Sequence, residues 1–269
     1  MVYSNGIRND LLHPNEFIRG ATLRFLCKVK EPELLEPLVP SARQCLEHRH
    51  AYVRKNAVLA IQSVYLHSEH LVPDAPELIQ TFLQTESDNT CRRNAFASLS
   101  AISHAKALEY LNSVFDDIAN TDELTQLVLI EFIRKDAILN SGNKVGFVCL
   151  ASHWGLFLHV GVMQARYLRL IFDLLEASSN TVVYEAATSL TALTSNPVAI
   201  KAAAGKFIEL SIKVSDNNVK LIVLDKVDQL RKKNDGVLDD LVMEVLRVLS
   251  RYSTRYRGSI NKLPLRLLD

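Results

Sequence analysis

The amino-acid sequence predicts an all-α protein built from about six helical hairpins, and a recurring segment is the main observation behind this prediction. Five segments share one pattern: a turn containing Asn, Asp or His, an apolar residue, usually a basic residue, and then small apolar residues. They are NEFIRGA (15–21), HAYVRKNA (50–57), DNTCRRNA (88–95), NTVVYEAA (180–187) and DNNVKLIV (216–223). The composition agrees, because 48% of the 269 residues are hydrophobic and strand-like alternation is rare.

The repeat has a period of about 36 residues. Its apolar anchors are Ile18, Val53, Cys91, Val183 and Val219, with spacings of 35, 38, 92 and 36 residues. The long interval exceeds two periods by 20 residues, and a further unit is expected near residue 127, in the helical pattern at 121–137. A period in the high thirties with two helices per unit is typical of HEAT or armadillo solenoids, in which neighbouring units bury each other's apolar faces.

Apolar residues at helical spacing predict the individual helices. The second helices of successive units are predicted at 15–28, 51–67, 88–102, 121–138, 180–195 and 216–232. Polar turns that supply N-caps and helix breaks lie at 72–77, 86–89, 178–180, 195–197 and 215–218. Pro37 and Pro40 interrupt the apolar pattern at 33–46, so a kinked first-layer helix is expected there.

Charge and cysteine content favour no specialised chemistry. The net charge is +1, which gives no global attraction to nucleic acid. Three of the four cysteines, Cys27, Cys45, Cys91 and Cys149, fall in helical apolar runs, which is typical of free buried thiols in a reducing cytosol. The N-terminal residues have no apolar core, so no signal peptide is predicted.

The sequence predicts no enzyme, no cofactor and no metal site. Cys45, His48 and His50 form a small cluster, but a structural zinc ion needs a fourth ligand that no second motif supplies. A polar helix end is therefore the preferred interpretation of this cluster. We find no phosphate-binding glycine loop, nucleophile elbow or HExxH motif.

Basic residues recur at one phase of the repeat and form a candidate protein-interaction ladder. Its members are Arg19, Arg54, Lys55, Arg92, Arg93 and Lys220. Such residues commonly bond carbonyl groups of neighbouring turns, and this structural role is the preferred one. A solenoid also aligns equivalent positions, so the ladder could instead face an acidic partner.

Several segments of the sequence resemble the N-terminal trunk of the coatomer beta subunit (β-COP) family, and their residues most resemble those of its fungal members. They include HPNEFIRGATLRFLCK (13–28), CLEHRHAYVRKNAVLAI (45–61), RRNAFASL (92–99), YEAATSLTALTSNPVAIKAAA (184–204) and SDNNVKLIVLD (215–225). The resemblance runs from about residue 6 to residue 249, except for 145–164. It implies a HEAT-repeat trunk fragment at 1–249, interrupted at 145–164, and an aberrant tail at 250–269.

The resemblance also implies a function. Members of this family are structural subunits of the COPI coat, which carries protein from the Golgi to the endoplasmic reticulum and within the Golgi. The implied partners are other coatomer subunits, the delta subunit especially, and an Arf-family GTPase in its GTP form. The implied location is the cytosolic side of Golgi and COPI-vesicle membranes, bound peripherally. The alternative is another scaffold of the same fold, such as a karyopherin-like receptor or a phosphatase scaffold.

The segment at 145–164, VGFVCLASHWGLFLHVGVMQ, departs from the repeat. It contains no Asp, Glu, Lys or Arg, and it holds three glycines and the only tryptophan. Its length suits a transmembrane helix, but glycine and histidine dilute it, and an exposed loop would leave large apolar side chains in water. We favour a retained short intron, whose removal would join Lys144 to Ala165 in frame. The segment is then expected to lie outside the helical stack, while the helices ending near Ala137 and beginning near Arg166 pack as neighbours.

Overall fold

The computed structural model describes the backbone of residues 2–146, 165–234 and 236, and the side chains of residues 5–139, 165–234 and 236. Within these ranges the chain is helical and contains no strand, as the sequence predicts. It divides into two compact units, Met1–Val128 and Leu129–Asp269. No helix in the described ranges is both long enough and apolar enough to span a membrane.

The first unit contains most of the helices. They are α1 (Val2–Leu11), α2 (Glu16–Leu26), α3 (Pro32–Leu35), α4 (Val39–Gln44), α5 (Ala51–His67), α6 (Ala75–Thr85), α7 (Asn89–Ile102) and α8 (His104–Val114). Short 3₁₀ turns lie at Glu36–Leu38, Cys45–Glu47, Glu69–Leu71 and Phe115–Asn120. Helix α9 (Glu123–Gly146) begins in the first unit, and the second unit continues with α10 (165–174), α11 (Asn180–Leu193), α12 (Pro197–Lys213) and α13 (Asn217–Lys233).

The order of these helices confirms the predicted solenoid. In chain order the described helices can be grouped into six successive pairs, with α3 and α4 together counted as the first helix of the second pair. The second helices α2, α5, α7, α11 and α13 begin and end within two residues of their predicted bounds. In the first unit α5 packs between α2 and α7, and in the second unit α12 packs between α11 and α13.

Helix α9 is longer than predicted. The sequence suggested an end near residue 138, whereas α9 continues to Gly146 and so includes the first two residues of the unusual segment. The residues after Leu139 include Asn, Ser and Gly, which weaken a helix by up to about 1 kcal/mol each but do not stop it as proline does. The predictions for the rest of 145–164, and for the tail at 250–269, fall outside the described residues.

Proline breaks the first-layer helix at the predicted place. Pro32 lies at the start of α3, Pro37 lies in the 3₁₀ turn that follows, and Pro40 lies in the first turn of α4. Proline lacks an N–H and is tolerated only in the first turn of a helix. Pro32 therefore starts the first helix of this pair, and Pro37 and Pro40 divide that helix into α3, a 3₁₀ turn and α4.

Polar side chains cap the helices that the turns introduce. The side chains of Asn15, Asp88, Ser179, Asn196 and Asp216 each accept a hydrogen bond from a backbone N–H in the first turn of the following helix. These bonds satisfy N–H groups that have no partner inside the helix. These Asn, Asp and Ser residues thus help to fix where α2, α7, α11, α12 and α13 begin.

The apolar anchors lie in the core wherever the described chain has a further helix pair both before and after their own. Val53 and Cys91 are fully buried, and Val183 is 7% exposed. Ile18 and Val219 are 37% and 39% exposed, and they belong to the first and last described pairs. Burial of the anchor therefore depends on a neighbouring unit on each side, as expected for a solenoid.

Two bidentate ion pairs connect the second helix pair of the first unit to the third. Arg54 of α5 donates from Nε and Nη2 to the two carboxylate oxygens of Glu86, at 2.6 and 2.8 Å. Glu86 lies in the turn before α7 and also accepts the backbone N–H of Ser87 and Asp88. Arg43 of α4 makes a similar bidentate ion pair with Asp74, the residue that precedes α6. Only the first pair is well buried, with the Glu86 side chain 4% exposed against 51% for Asp74.

A buried polar contact joins the two helices that flank the unusual segment. The Tyr167 hydroxyl of α10 donates to Asp136 Oδ2 of α9 at 2.9 Å, and both residues are almost fully buried. Burial, followed by the Asp136 charge, raises the pKa of Tyr167, so the phenol keeps its proton and remains a donor. The helices on either side of the segment are therefore neighbours, as the repeat predicts.

We predict that Tyr167→Phe destabilises the second unit by about 1–3 kcal/mol, because it removes the hydrogen bond that the buried phenol donates to the buried Asp136 carboxylate. Urea denaturation followed by circular dichroism measures the change. Tyr65→Phe is the matched control, since the Tyr65 hydroxyl bonds an exposed carboxylate of Glu69 and its loss should change stability little. Equal effects of the two substitutions would contradict the structural role given to Tyr167.

We predict that Arg54→Gln costs about 2 kcal/mol at neutral pH, because it leaves the buried Glu86 carboxylate without its main partner. Arg43→Gln should cost about 1 kcal/mol or less, since its pair is exposed. Burial alone would raise the Glu86 pKa, but the bonds from Arg54 and the backbone outweigh it and the pKa is lowered. The stabilisation that the charged Glu86 carboxylate contributes is fully present above pH 4.5, the ordinary pKa of this group. It is lost as the pH falls through the lowered pKa. The difference between wild type and Arg54→Gln should accordingly shrink in acid, and a difference independent of pH would contradict this.

Candidate interaction surface

The repeated basic residues occupy equivalent positions in successive second helices. Arg19, Arg54, Arg92 and Lys220 each lie four residues after the residue that precedes the helix, namely Asn15, His50, Asp88 and Asp216. Helices α2, α5 and α7 lie side by side, so the first five members of the ladder share one layer of the first unit. Lys220 belongs to α13 in the second unit and is half-buried.

Two of the arginines have the structural role that the sequence favoured. Arg19 donates from Nε to the carbonyl of His13 and from Nη2 to that of Leu12, the latter at 2.9 Å. Arg54 donates from Nη1 to the carbonyls of His48 and Arg49 at 2.8 and 2.9 Å, in addition to its pair with Glu86. Both guanidinium groups therefore hold the turn that leads into their own helix.

The other basic residues of the layer are differently placed. Arg92 donates to the Tyr110 hydroxyl at 3.2 Å, and Arg93 donates to Asn94 Oδ1 at the same distance. The Lys55 ammonium lies 5.3 Å from the centre of the Tyr52 ring. None of the three has a carboxylate partner among the described residues. Lys55 and Arg93, each one position after the first basic residue of its motif, are thus the ladder members best placed to receive an acidic partner.

The structure adds residues that the sequence pattern did not reveal. Arg24 of α2 lies 5.9 Å from the Tyr52 ring on the same layer, and the Phe17 ring lies 5.6 Å from that of Tyr52. Phe17 is 64% exposed, and Arg24 and Lys28 are exposed without a carboxylate partner in the described chain. We call the set Phe17, Arg24, Lys28, Tyr52, Lys55 and Arg93 the basic layer. The distribution of charge in the sequence indicates this basic surface, because α5 and α7 contain no acidic residue and α2 contains only Glu16.

Gly20 allows Tyr52 to take its place in the basic layer. A Cβ atom added at Gly20 would lie 2.2 Å from Tyr52 Cε1, far inside van der Waals contact. The absent side chain lets the ring approach α2 closely, where Arg24 and Lys55 lie at cation–π distances from it. The aromatic centre of the layer therefore depends on a glycine in the adjacent helix.

The histidine and cysteine cluster forms a helix end. The His48 and His50 rings stack at 5.6 Å, and His48 Nδ1 accepts the backbone N–H of His50 at 3.1 Å. The Cys45 thiol donates toward the carbonyl of Leu11 at 3.8 Å, and burial raises its pKa. Burial, Arg19 and the neighbouring His50 lower the pKa of His48, so the neutral ring that accepts this bond is favoured. Among the described residues, no group of three or more His, Cys, Asp or Glu side chains is arranged to hold a metal ion.

Comparison with known proteins gives a consistent match. The family model of the adaptin N-terminal region matches residues 1–257. Coatomer subunit beta of Sus scrofa is 49% identical over 97% of this chain, that of Dictyostelium discoideum is 47% identical over 91%, and that of Saccharomyces cerevisiae is 45% identical over 91%. The chain spans about a quarter of each relative, covering 26%, 25% and 23% of their lengths.

A structural neighbour shows the same fold. A homology model of the full-length AP-3 complex in an intermediate open conformation superposes with a TM-score of 0.69, over 96% of this chain and 43% of that one. The sequences are only 16% identical, so this likeness concerns the fold alone. With the match of the family model over nearly the whole chain, the conclusion is that the chain belongs to the adaptin N-terminal region family.

Proposed function

We propose that this chain is the N-terminal trunk region of a COPI coat subunit, which supports coat assembly on Golgi membranes rather than catalysing a reaction. The observation that carries the proposal is its 49% identity to a coatomer subunit beta over 97% of its length. The coat then serves transport from the Golgi to the endoplasmic reticulum and within the Golgi. The same identity favours this role over that of a karyopherin-like receptor or a phosphatase scaffold.

The proposed partners are the other coatomer subunits, the delta subunit especially, and an Arf-family GTPase in its GTP form. The chain would reach the cytosolic face of Golgi and COPI-vesicle membranes through these partners. The basic layer supports a contact with an acidic protein surface, because its four cations have no carboxylate partner in the described chain, and two of them, Arg24 and Lys55, lie 5.9 and 5.3 Å from the Tyr52 ring. Charges of one sign at an interface promote fast and selective association with a complementary partner.

Arg54 is not assigned to this contact, although the sequence placed it in the ladder. Its side chain is 17% exposed, and its donors are directed to Glu86 and to the turn carbonyls. Reversing its charge would break the connection between repeats and weaken any partner indirectly. Lys55 and Arg93 are the better test, since neither takes part in an ion pair with the described residues.

We also propose that residues 147–164, together with the preceding Val145 and Gly146, are an insertion into the repeat and no part of its partner surface. The support is the period, which regains its phase only when 20 residues are omitted, and the contact of Tyr167 with Asp136 across the segment. We propose likewise that the tail at 250–269 does not continue the repeat, because the apolar anchor expected near residue 255 is replaced by Arg255.

We predict that Lys55→Glu combined with Arg93→Glu lowers affinity for a GTP-loaded Arf-family GTPase at least tenfold, without loss of helicity or thermal stability. Each reversal replaces an attraction by a repulsion, and a total change of about 1.4 kcal/mol already gives tenfold. Titration calorimetry with the GTP- and GDP-loaded forms measures this. Arg8→Glu with Lys30→Glu, which makes the same charge change at exposed sites outside the basic layer, should bind as wild type. Equal binding by both double variants would contradict the assignment of the surface.

We predict that deleting residues 145–164 gives a protein that remains folded and is more soluble, because the segment adds large apolar side chains that no repeat unit requires. Thermal unfolding and sedimentation of the deleted and intact chains, with and without the delta subunit, measure the effect. A deleted chain that unfolds at a much lower temperature than the intact one would contradict the insertion. Sequencing of the mature transcript across Lys144 and Ala165 tests its origin as an intron.

A further inference from the structure

The turns that lead into α2, α5 and α7 are closed by the same hydrogen bond, but the side chain that accepts it differs. In each turn one side chain accepts the backbone N–H of the residue that precedes the helix, at 3.0, 3.1 and 2.8 Å respectively. The acceptors are His13, His48 and Glu86, each six residues before an arginine of the ladder. Two of these turns therefore depend on a histidine that accepts a hydrogen bond, and the third depends on a carboxylate.

Arg19 of α2 lies against the turn that holds His48. Its Nη2 donates to the Leu12 carbonyl at 2.9 Å, and the Cys45 thiol of that turn reaches the adjacent carbonyl of Leu11 at 3.8 Å. The Arg19 charge acts on the Cys45 thiol and on the His48 ring. The guanidinium of one repeat thus stands beside the histidine turn of the next, and we call this contact the α2–α5 connection.

The equivalent contact one repeat later joins opposite charges. Arg54 in α5 is the counterpart of Arg19 in α2. Glu86, before α7, is the counterpart of His48, before α5. Arg54 and Glu86 form the buried ion pair described above, which we call the α5–α7 connection. The carboxylate serves its connection as a charged group, whereas the histidine suits the α2–α5 connection only as a neutral ring.

The surroundings of His48 disfavour a second positive charge. Its Nδ1 accepts a backbone N–H and therefore carries no proton in this structure. Titratable and cationic groups reach the residue from α2, from its own turn and from α5, and they are Arg19, Cys45, Arg49, His50 and Arg54. A proton on the imidazole would add to this positive charge.

The described carboxylates near this ring do not pair with it. Glu86 is bound by Arg54, and Asp74 is bound by Arg43 of α4. Glu47 precedes the histidine but is exposed, so that water and salt screen its charge. The residues by which α6 borders the same cleft are uncharged, and they are Leu78, Thr81, Phe82 and Thr85.

These surroundings hold the ring in its neutral form. Burial, followed by the charges of Arg19, His50 and Arg49, lowers the pKa of His48 from its ordinary value of 6.5. The neutral ring therefore contributes its full stability above pH 6.5, and this contribution is lost as the pH falls through the lowered pKa. The Glu86 carboxylate, whose pKa is lowered from 4.5, stays charged over the same interval.

We propose that His48 makes the α2–α5 connection a pH-sensitive element of the first unit. A proton on Nδ1 removes the acceptor of the His50 N–H and places a second cation beside Arg19, so the turn before α5 opens in mild acid. The α5–α7 connection keeps its ion pair under the same conditions. Because the basic layer crosses the α2–α5 connection, with Phe17 on one side and Tyr52 on the other, this opening also separates its aromatic rings. The consequence for a partner rests on the proposed function, whereas the element itself is tested without a partner.

The test measures hydrogen exchange of the full chain by mass spectrometry between about pH 8 and about pH 5, the interval in which histidine changes charge. Protection factors corrected for the intrinsic effect of pH report the opening of each turn. We expect the amides of residues 48–56 to lose protection at least about threefold in acid, because the turn loses a hydrogen bond. The amides of residues 86–94 should keep their protection and serve as the internal control.

Three variants assign the effect to one side chain. His48→Gln removes the titration, so the protection of residues 48–56 should no longer depend on pH. His48→Glu gives the α2–α5 connection the same acceptor as its counterpart, and it should protect this turn better than His48→Gln at every pH of the series. His70→Gln, at an exposed histidine before α6, is the matched control and should keep the pH dependence of wild type.

Proton NMR of the wild-type chain measures the titration of the His48 ring directly, and its midpoint should lie below 6.5. A midpoint at or above this value overturns the proposal. Equal losses of protection before α5 and before α7 overturn it as well, as does a His48→Glu variant that protects the turn less than His48→Gln. Persistence of the pH dependence in His48→Gln would assign the effect to His50, and its disappearance in His70→Gln would assign it to His70, so either result also overturns the proposal.

Discussion

The fold depends on one constraint, which is that no helix pair can bury its apolar face alone. Helix α5 shows this most clearly, because Val53, Ala57, Ile61 and Val64 are buried between α2 on one side and α7 on the other. Apolar burial of this kind stabilises a fold by roughly 25 cal/mol per Å² removed from water, and it can be obtained only from a neighbour. The spacing of about 36 residues, the capped turns and the proline breaks all serve to bring the next pair to the same place.

The same constraint separates the basic residues into two kinds. A residue four positions into each second helix lies near the turn that the chain has just made, where carbonyl groups lack partners. Arg19 and Arg54 fill this role with their side chains. The next position along the helix carries Lys55 and Arg93, which are half-buried and have no carboxylate partner in the described chain. Adjacent residues of one motif therefore take opposite roles, one in stability and the other in a proposed contact.

Much of the fold could be predicted from the sequence because its signals are local. Helix bounds follow from apolar spacing and capping residues, so α5 and α7 were placed correctly, and Pro37 and Pro40 identified the broken helix. The end of α9 could not be placed, because Asn, Ser and Gly lower helix stability gradually and tertiary context decides the outcome.

The surfaces were harder to predict than the helices, because their contacts join residues that are distant in sequence. The sequence contains Arg54 and Glu86 but not the fact that they meet, since this requires the register of one repeat on the next. The aromatic centre at Tyr52 arises in the same way. Only the uneven distribution of charge, with no acidic residue in α5 or α7, could have indicated the basic layer beforehand.

The close approach of Gly20 to Tyr52 has a consequence for how such a chain can change over time. A side chain at position 20 would displace the ring of Tyr52, because its Cβ atom would lie 2.2 Å from Cε1 of that ring. Relatives with a larger residue at the first position should therefore carry a smaller or differently shaped one at the second, as a correlated pair. Since the two residues are 32 positions apart, that correlation would record the packing of α2 on α5. An alignment rich enough to resolve it would reveal the stacking of repeats without any coordinates.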